Sequence, residues 1–385
     1  MRVRSVKRKI KCIVLFVVAI MLILGCIKVI LLQNEKGRLF NPIYEDDAAE
    51  ICNSHMVDFY LISCALYFDF DSENLISGSN EIEEKTISYF SKYKDYVFVQ
   101  EMGKYVDVAN KSYDFNVLVP LSVYCFWEEG NVPDQLLTSN VFQTREDFDL
   151  FWKDINRFYQ ETQAKKFFEE QDIYIESFKD KLETDFGQEG LKPYIDEMEM
   201  YLGDTEQYNQ GKEIDYGILV SLYKVDGASF YTVYRENATI YLCFSGIFED
   251  NKDITSTNID RIIENAVHEY LHCYINPLVE EKANLVKTLY SNEKKSDFAG
   301  EVYQNMDWNR VIDENIVRAV STRIIARVTG NEKKAYEDIM RREIEFGGFS
   351  KVQNIYDILK NYEDNRKEYE SIDCYTEQMI EALLQ

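Results

Sequence analysis

From residue 48 to about 68 the apolar positions Ile51, Met56, Phe59, Leu61, Ala65 and Leu66 recur at helical spacing, and 81–93 repeats the pattern. Residues 144 to about 183 read as two or more helices crowded with aromatics, among them Phe148, Phe151, Phe158, Phe167 and Phe178. An aromatic stripe at that spacing is core, not a stacking platform for a ligand. The period then changes. Runs rich in Val, Ile, Tyr and Phe at 216–223, 228–234 and 239–244 are separated by Asp226-Gly227 and Glu236-Asn237, which predicts a strand meander. After Asp260 the chain returns to helix and stays mostly helical to its end. The layout predicts an α+β protein, mainly helical, with a small, mostly antiparallel sheet in its middle.

The first 33 residues follow another rule. Six cations (Arg2, Arg4, Lys7, Arg8, Lys9, Lys11) precede an apolar run from residue 12 that continues past Lys28 to residue 32, 21 residues in all. About 20 suffice to cross a bilayer as a helix. A positive flank inside and an acidic body outside follow from the charge asymmetry. Two readings share that topology: an uncleaved signal anchor, or a lipoprotein whose Ile23-Leu24-Gly25-Cys26 acts as a lipobox with Cys26 lipidated. The expected organisation is a membrane segment at 1–33, a stalk at 34–47, a helical part at 48–210, a catalytic core at 211–330 and C-terminal helices at 331–385.

Composition narrows the function classes. The 385 residues carry 43 Lys plus Arg against 68 Asp plus Glu, a net charge of -25. Residues 1–33 hold seven of the cations and no acid, leaving 36 cations against 68 acids, a body at -32. Such a body repels a phosphate backbone, so no nucleic-acid partner is expected. With 46% apolar residues it buries a core, which excludes a disordered acidic tail. Beyond the first segment, Cys52, Cys64, Cys125, Cys243, Cys273 and Cys374 show no regular spacing, and most sit among apolar neighbours as buried thiols do. Asp69-Phe70-Asp71-Ser72-Glu73 opens like a calcium loop, but it lacks the glycine at the sixth position and ends on Asn80, so calcium is rejected.

The chemistry is carried by one helix. Residues 259–275 are helical by apolar spacing, with Asn276-Pro277 as the expected stop, and they contain His268-Glu269-Tyr270-Leu271-His272. Two imidazoles four residues apart share a helix face and can reach one zinc ion; Glu269 can act as general base on water at an open coordination position. Two of the chain's only three histidines are committed here. His55 lies more than 200 residues upstream and reads as a core or surface residue, so the third ligand is expected to be a downstream carboxylate. Glu280, Glu281, Glu293, Glu301, Asp307, Asp313 and Glu314 are the candidates. Glu314 stands out because it shares a helical stripe with Val317, Ser321, Ile325 and Val328, where a carboxylate is costly unless paired or metal-bound. An ion pair with Arg318, four residues on, is the competing explanation.

These residues carry a resemblance. An HExxH helix followed by a Glu on a later helix resembles the gluzincin class of zinc metallopeptidases. Val267-His268-Glu269, Asn276-Pro277, Trp308 and the run from Asp313 to Ala319 resemble more closely a family of exported bacterial proteins regarded as metallopeptidases, over about 48–330. The resemblance implies a zincin-like core with one Zn2+, His268, His272 and Glu314 as ligands, Glu269 as base, and a peptide or protein substrate. One position departs. Thermolysin-like gluzincins place an Asp four residues after the third ligand to orient a zinc-bound histidine, whereas this chain has Arg318. Tyr303 and Arg318 are the candidates to stabilise the oxyanion, and the strand at 239–244 is expected to pair with an extended substrate. Two other classes keep the same fold: a catalytically silent exported binding protein, and a zinc hydrolase of non-peptide amides.

Overall fold

The computed structural model describes residues 41–45, 49–71, 80–126, 132, 134–137, 139, 141–186, 190–203, 213–223, 228–234, 238–247 and 259–385. The expected membrane segment, Cys26 and most of the stalk lie outside the described residues. Among the described residues no helix is long and apolar enough to cross a membrane.

The described residues are mainly helical with a small sheet, as the periodicity predicts; that sheet has five strands, and a separate two-residue ribbon pairs Val106–Asp107 with Ser112–Tyr113. The strands of the sheet are β1 (Asn41–Glu45), β2 (Ala49–Asn53), β3 (Glu213–Ser221), β4 (Ala228–Tyr234) and β5 (Ala238–Gly246), in the order β1-β2-β3-β5-β4. Three expectations are corrected here. The sheet is mixed, not mostly antiparallel: β2 with β3 and β3 with β5 run parallel, while β1 with β2 and β4 with β5 run antiparallel. The last three strands are not a meander, because β5 inserts between β3 and β4. Residues 239–244 therefore lie in an interior strand and β4 forms that edge, so an extended substrate cannot pair where the sequence suggested. The third correction concerns the front of the body. The helix expected from residue 48 begins only at His55, and β1 and β2 bring the supposed stalk and helix start into the sheet.

The reason is visible in burial. Ile51 and Cys52 are fully buried within a strand that pairs on both edges, and a short strand covered on both faces has no two-residue alternation to distinguish it from a buried helix. The following helix α1 (His55–Tyr67) is buried along nearly its whole length. The longer helices that follow are α2 (Asn80–Phe90), α3 (Phe115–Phe126), α4 (Arg145–Glu161) and α5 (Ala164–Phe186). Phe59 of α1 is ringed by Phe90, Phe158, Tyr159 and Phe168, with ring centroids 5.2 to 6.4 Å apart, so the aromatic stripe is core. Thr144 caps α4 through a reciprocal capping box with Asp147. Cys52, Cys64, Cys125 and Cys243 are buried, and Cys374 is exposed.

The second half is built from α6 (Lys192–Leu202), α7 (Ile259–Glu281), α8 (Ala283–Tyr290), α9 (Trp308–Thr329), α10 (Arg341–Glu345), α11 (Val352–Asp364) and α12 (Thr376–Ala382). α7 does not stop at Asn276-Pro277 but continues to Glu281. Proline there removes the hydrogen bond to the Cys273 carbonyl, but Leu278 and Val279 beyond it are buried and extend the apolar stripe, which offsets that loss. α9 ends as the sequence predicts, on Gly330 in the left-handed conformation at φ 62°. It packs along α7 on one side and against α6 and α11 on others, so nearly every residue from Val311 to Ala326 is buried. Before α10, residues Tyr336–Met340 form a π turn, which widens the helix where it meets the cleft described next.

Candidate metal centre

Sequence and packing together set the rotation of α7. Tyr270 donates to the Gly217 carbonyl oxygen at 2.8 Å, and the hydroxyls of Tyr274 and Tyr216 lie 2.8 Å apart, so one face of the helix is tied to β3. His268, Glu269 and His272 are thereby presented to a cleft of about 670 Å3, whose opposite wall is α9 with Glu314 and Arg318. Phe115 of α3 closes another side and Tyr303 stands beside Arg318.

Three predicted ligands converge. The Nε2 atoms of His268 and His272 are 3.2 Å apart; Glu314 Oε2 lies 3.7 Å from His268 Nε2, and Glu314 Oε1 lies 3.7 Å from His272 Nε2. Donor atoms bound to one zinc at 2.0–2.1 Å in a tetrahedron stand roughly 3.4 Å apart, so the spacing suits a small divalent ion. Among the described residues this is the one group of three or more His, Cys, Asp or Glu side chains close enough to hold a metal. The side chains of His272 and Glu314 are 1% and 2% exposed and that of His268 is 18% exposed, so His268 faces the open side.

The protonation states suit ligation. Burial drives His272 down to about 3, against the pull of Glu314, so its imidazole is neutral. Burial also opposes the Glu314 carboxylate, but Arg318 and then the hydrogen bond with His268 outweigh it and hold the group well below the usual carboxylate range. Arg318 Nη1 donates to Glu314 Oε2, and its Nε donates to Glu343 Oε2 at 2.7 Å. Its guanidinium lies 3.7 Å from the centre of the Phe349 ring. The sequence offered the Arg318 pair and metal ligation as alternatives, but the geometry brings Glu314 against Arg318 and both imidazoles together. Arg310 reaches Glu314 Oε1 at 2.8 Å.

Asn276, which sequence reasoning passed over, faces the other nitrogen of His272: its Oδ1 lies 3.0 Å from Nδ1. The amide satisfies its other neighbours when turned over, donating to Asp313 Oδ2 at 3.3 Å and His272 Nδ1 at 3.0 Å while accepting from Arg310 at 3.1 Å. The turned amide places the imidazole proton on Nε2, where it blocks a metal. Ligation through Nε2 demands the first orientation, with Nδ1–H donating to the amide oxygen, so amide and tautomer are one choice. Asn276 lies four residues after His272, a spacing that could have flagged it. Arg310 stands four residues before Glu314 and carried the same signal, whereas Glu343, remote in sequence, gave none.

The remaining candidates sit elsewhere. Glu280, Glu281, Glu293 and Glu301 are exposed, and Asp307 caps α9 by accepting from the Arg310 backbone N–H at 2.9 Å. Asp313 lies beside the site, raised by burial to about 8. His55 pairs with Asp172 at 3.0 Å and stacks on Phe168, far along the chain from the cluster, as expected for a packed histidine. Of the two oxyanion candidates, Arg318 is occupied by carboxylates. Tyr303 accepts from Arg318 Nη2 at 3.3 Å, which leaves its own hydroxyl proton available to the cleft it lines.

Residues 134–382, well over half of the chain, match the family described as a domain of unknown function (DUF4932), and the chain belongs to that family. The matched region contains α4 to α12 and every member of the His268, His272 and Glu314 cluster. No curated protein and no solved structure matches the chain.

Proposed function

We propose that the protein is a zinc-dependent peptide hydrolase with a zincin-like core, tethered to a membrane by its first 33 residues and working on the outer side. The observation that carries this reading is the triangle of His268, His272 and Glu314, with sides of 3.2, 3.7 and 3.7 Å, on the wall of an open cleft. Zinc bound there supplies a Lewis acid and a water of lowered pKa. Glu269, adjacent in sequence to His268 and lining the same cleft, takes the proton of the attacking water and passes it to the leaving amine. Tyr303 donates to the carbonyl oxygen as it gains charge, steadied by the hydrogen bond from Arg318. Asn276 holds His272 in the tautomer that offers Nε2, and Arg318, anchored by Glu343, holds Glu314. The departure from the thermolysin-like pattern thus has a physical counterpart: the orienting group for a histidine comes from α7, and Arg318 serves the carboxylate ligand.

The test is metal analysis of the full-length protein purified without chelator, with cleavage of a mixed peptide library by wild type and Glu269→Gln. About one zinc per chain is expected, with cleavage lost in the variant and zinc retained. Protein that carries no zinc and takes none up on titration defeats the reading.

A further inference from the structure

The cleft wall carries four arginines, Arg261, Arg310, Arg318 and Arg342, and four glutamates, Glu264, Glu269, Glu314 and Glu343. Three of the arginines are held by glutamates that no metal would claim. Arg318 also donates to Glu314 Oε2, but it is bonded to Glu343 and stacked on Phe349, so it keeps a carboxylate when a metal takes Glu314. Arg342 donates to Glu264 at 2.8 Å, and Arg261 stands 3.6 Å from the same carboxylate. Arg310 differs. It lies on the first turn of α9 with its side chain 35% exposed, and its close carboxylate contact is Glu314 Oε1 at 2.8 Å; Asp313 is 3.7 Å away. Glu314 Oε1 is also the oxygen that faces His272 Nε2.

A metal and Arg310 therefore draw on the same carboxylate oxygen. Occupancy by a divalent ion weakens the hold on Arg310 and turns a cleft with balanced charge into one with an excess of two positive charges, inside a body at -32. A guanidinium in a partly desolvated cleft is best satisfied by a carboxylate, through two parallel hydrogen bonds. Resting on the peptidase reading, we propose that Arg310 anchors the substrate and that the cleft selects peptides carrying a carboxylate close to the scissile bond. That carboxylate is either the peptide's C-terminus or an acidic side chain. The acidic body disfavours long acidic tracts, but its exposed charges are screened beyond about 8 Å at physiological salt, so a single carboxylate within the cleft meets mainly the local field.

The experiment uses full-length Glu269→Gln protein in detergent, so that peptides bind without being cut. Zinc uptake is titrated first. Affinity is then measured for four hexapeptides of otherwise equal sequence: free C-terminus, amidated C-terminus, and the amidated peptide with a central Glu or Gln. With zinc bound, the free acid over its amide, or Glu over Gln, is expected to bind about tenfold tighter or more, and whichever pair shows the difference identifies the source of the carboxylate. Adding Arg310→Gln, with zinc still taken up, is expected to abolish the preference, and Arg310→Lys to retain part of it. Equal affinity within both pairs in zinc-loaded protein overturns this proposal and leaves the peptidase reading standing, as does a preference that survives Arg310→Gln. Absence of zinc uptake overturns both.

Discussion

Among the described residues Asp58, Asp313 and Glu314 are carboxylates almost wholly buried on helices, and the environments of Glu314 and Asp58 drive those two in opposite directions. Glu314 on α9 is held well below the usual carboxylate range, whereas Asp58 on α1, 1% exposed, is pushed by burial up to about 7. Asp58 accepts from the Ser221 hydroxyl and the Leu222 backbone N–H, and its Oδ2 accepts no hydrogen bond among the described residues. Neutral donors cap the end of β3 with it, and the nearby His55 offsets only part of the cost of burying its charge. Glu314 has two guanidiniums and two imidazoles around it and opens onto a cleft. Burial alone does not make a functional site. What separates the two is a surplus of charged partners poised around an anion, which is tolerated where a ligand will share it.

The largest effect expected from breaking this contrast is at Glu314. Glu314→Ala removes the proposed third ligand and leaves Arg318 buried with Glu343 as its remaining carboxylate, so zinc binding should fall by more than about 100-fold and stability by about 3–5 kcal/mol. Zinc stoichiometry and the urea midpoint of the metal-free protein read the two losses separately. Glu280→Ala, on the exposed end of α7, should change neither. Full zinc occupancy in the Glu314 variant would move the ligand elsewhere.

Asp58 should show the opposite pattern. Its folded pKa of about 7 lies above the unfolded value of 3.8, so its contribution to stability is complete below pH 4 and is lost as pH rises through 7. By linkage that loss reaches up to about 4 kcal/mol. Asp58→Asn keeps an acceptor for Ser221 but cannot ionise, so it should be the more stable protein above pH 7, with unchanged zinc affinity. Chemical denaturation of both proteins from pH 5 to 9 checks this. A stability difference that stays constant across that range would show that Asp58 does not carry the charge cost.

A smaller effect is expected at Asn276. Removing a group that orients a metal-bound histidine commonly costs 10–100-fold in affinity, so Asn276→Ala should weaken zinc binding by that factor with little change in metal-free stability. Competition against a chromophoric chelator measures it. An unchanged affinity would mean that Asn276 does not set the tautomer of His272 in the metal-bound protein.

The two regions also differ in how far the sequence disclosed them. The α7 and α9 helices, the convergence of His268, His272 and Glu314 and the Gly330 stop were legible because each rests on local spacing: four residues between histidines, a helical stripe through Glu314, a glycine where the apolar period ends. Strand order was not legible. The insertion of β5 between β3 and β4 and the pairing of β2 with β3 across about 160 residues are set by long-range packing, which no short window records. Ile51 and Cys52 read as helix for that reason. Arg318 was visible as a partner of Glu314, but Glu343, which fixes Arg318, is 25 residues further along and meets it only through the fold.

Gly330 gives the finest test of whether the site depends on the helix that carries it or only on that helix's buried face. The residue closes α9 in the left-handed region, and a Cβ built there meets nothing within 4 Å, so Gly330→Ala carries a backbone cost without a steric clash. That cost is about 1–2 kcal/mol. Glu314 lies four turns away on a stretch buried from Val311 to Ala326, which resists fraying at its C-terminal end. The variant should therefore unfold at lower urea while binding zinc within a factor of about two of wild type. A larger change in zinc affinity would mean that the set of α9 as a whole, and not the packing around Glu314, determines the geometry of the metal centre.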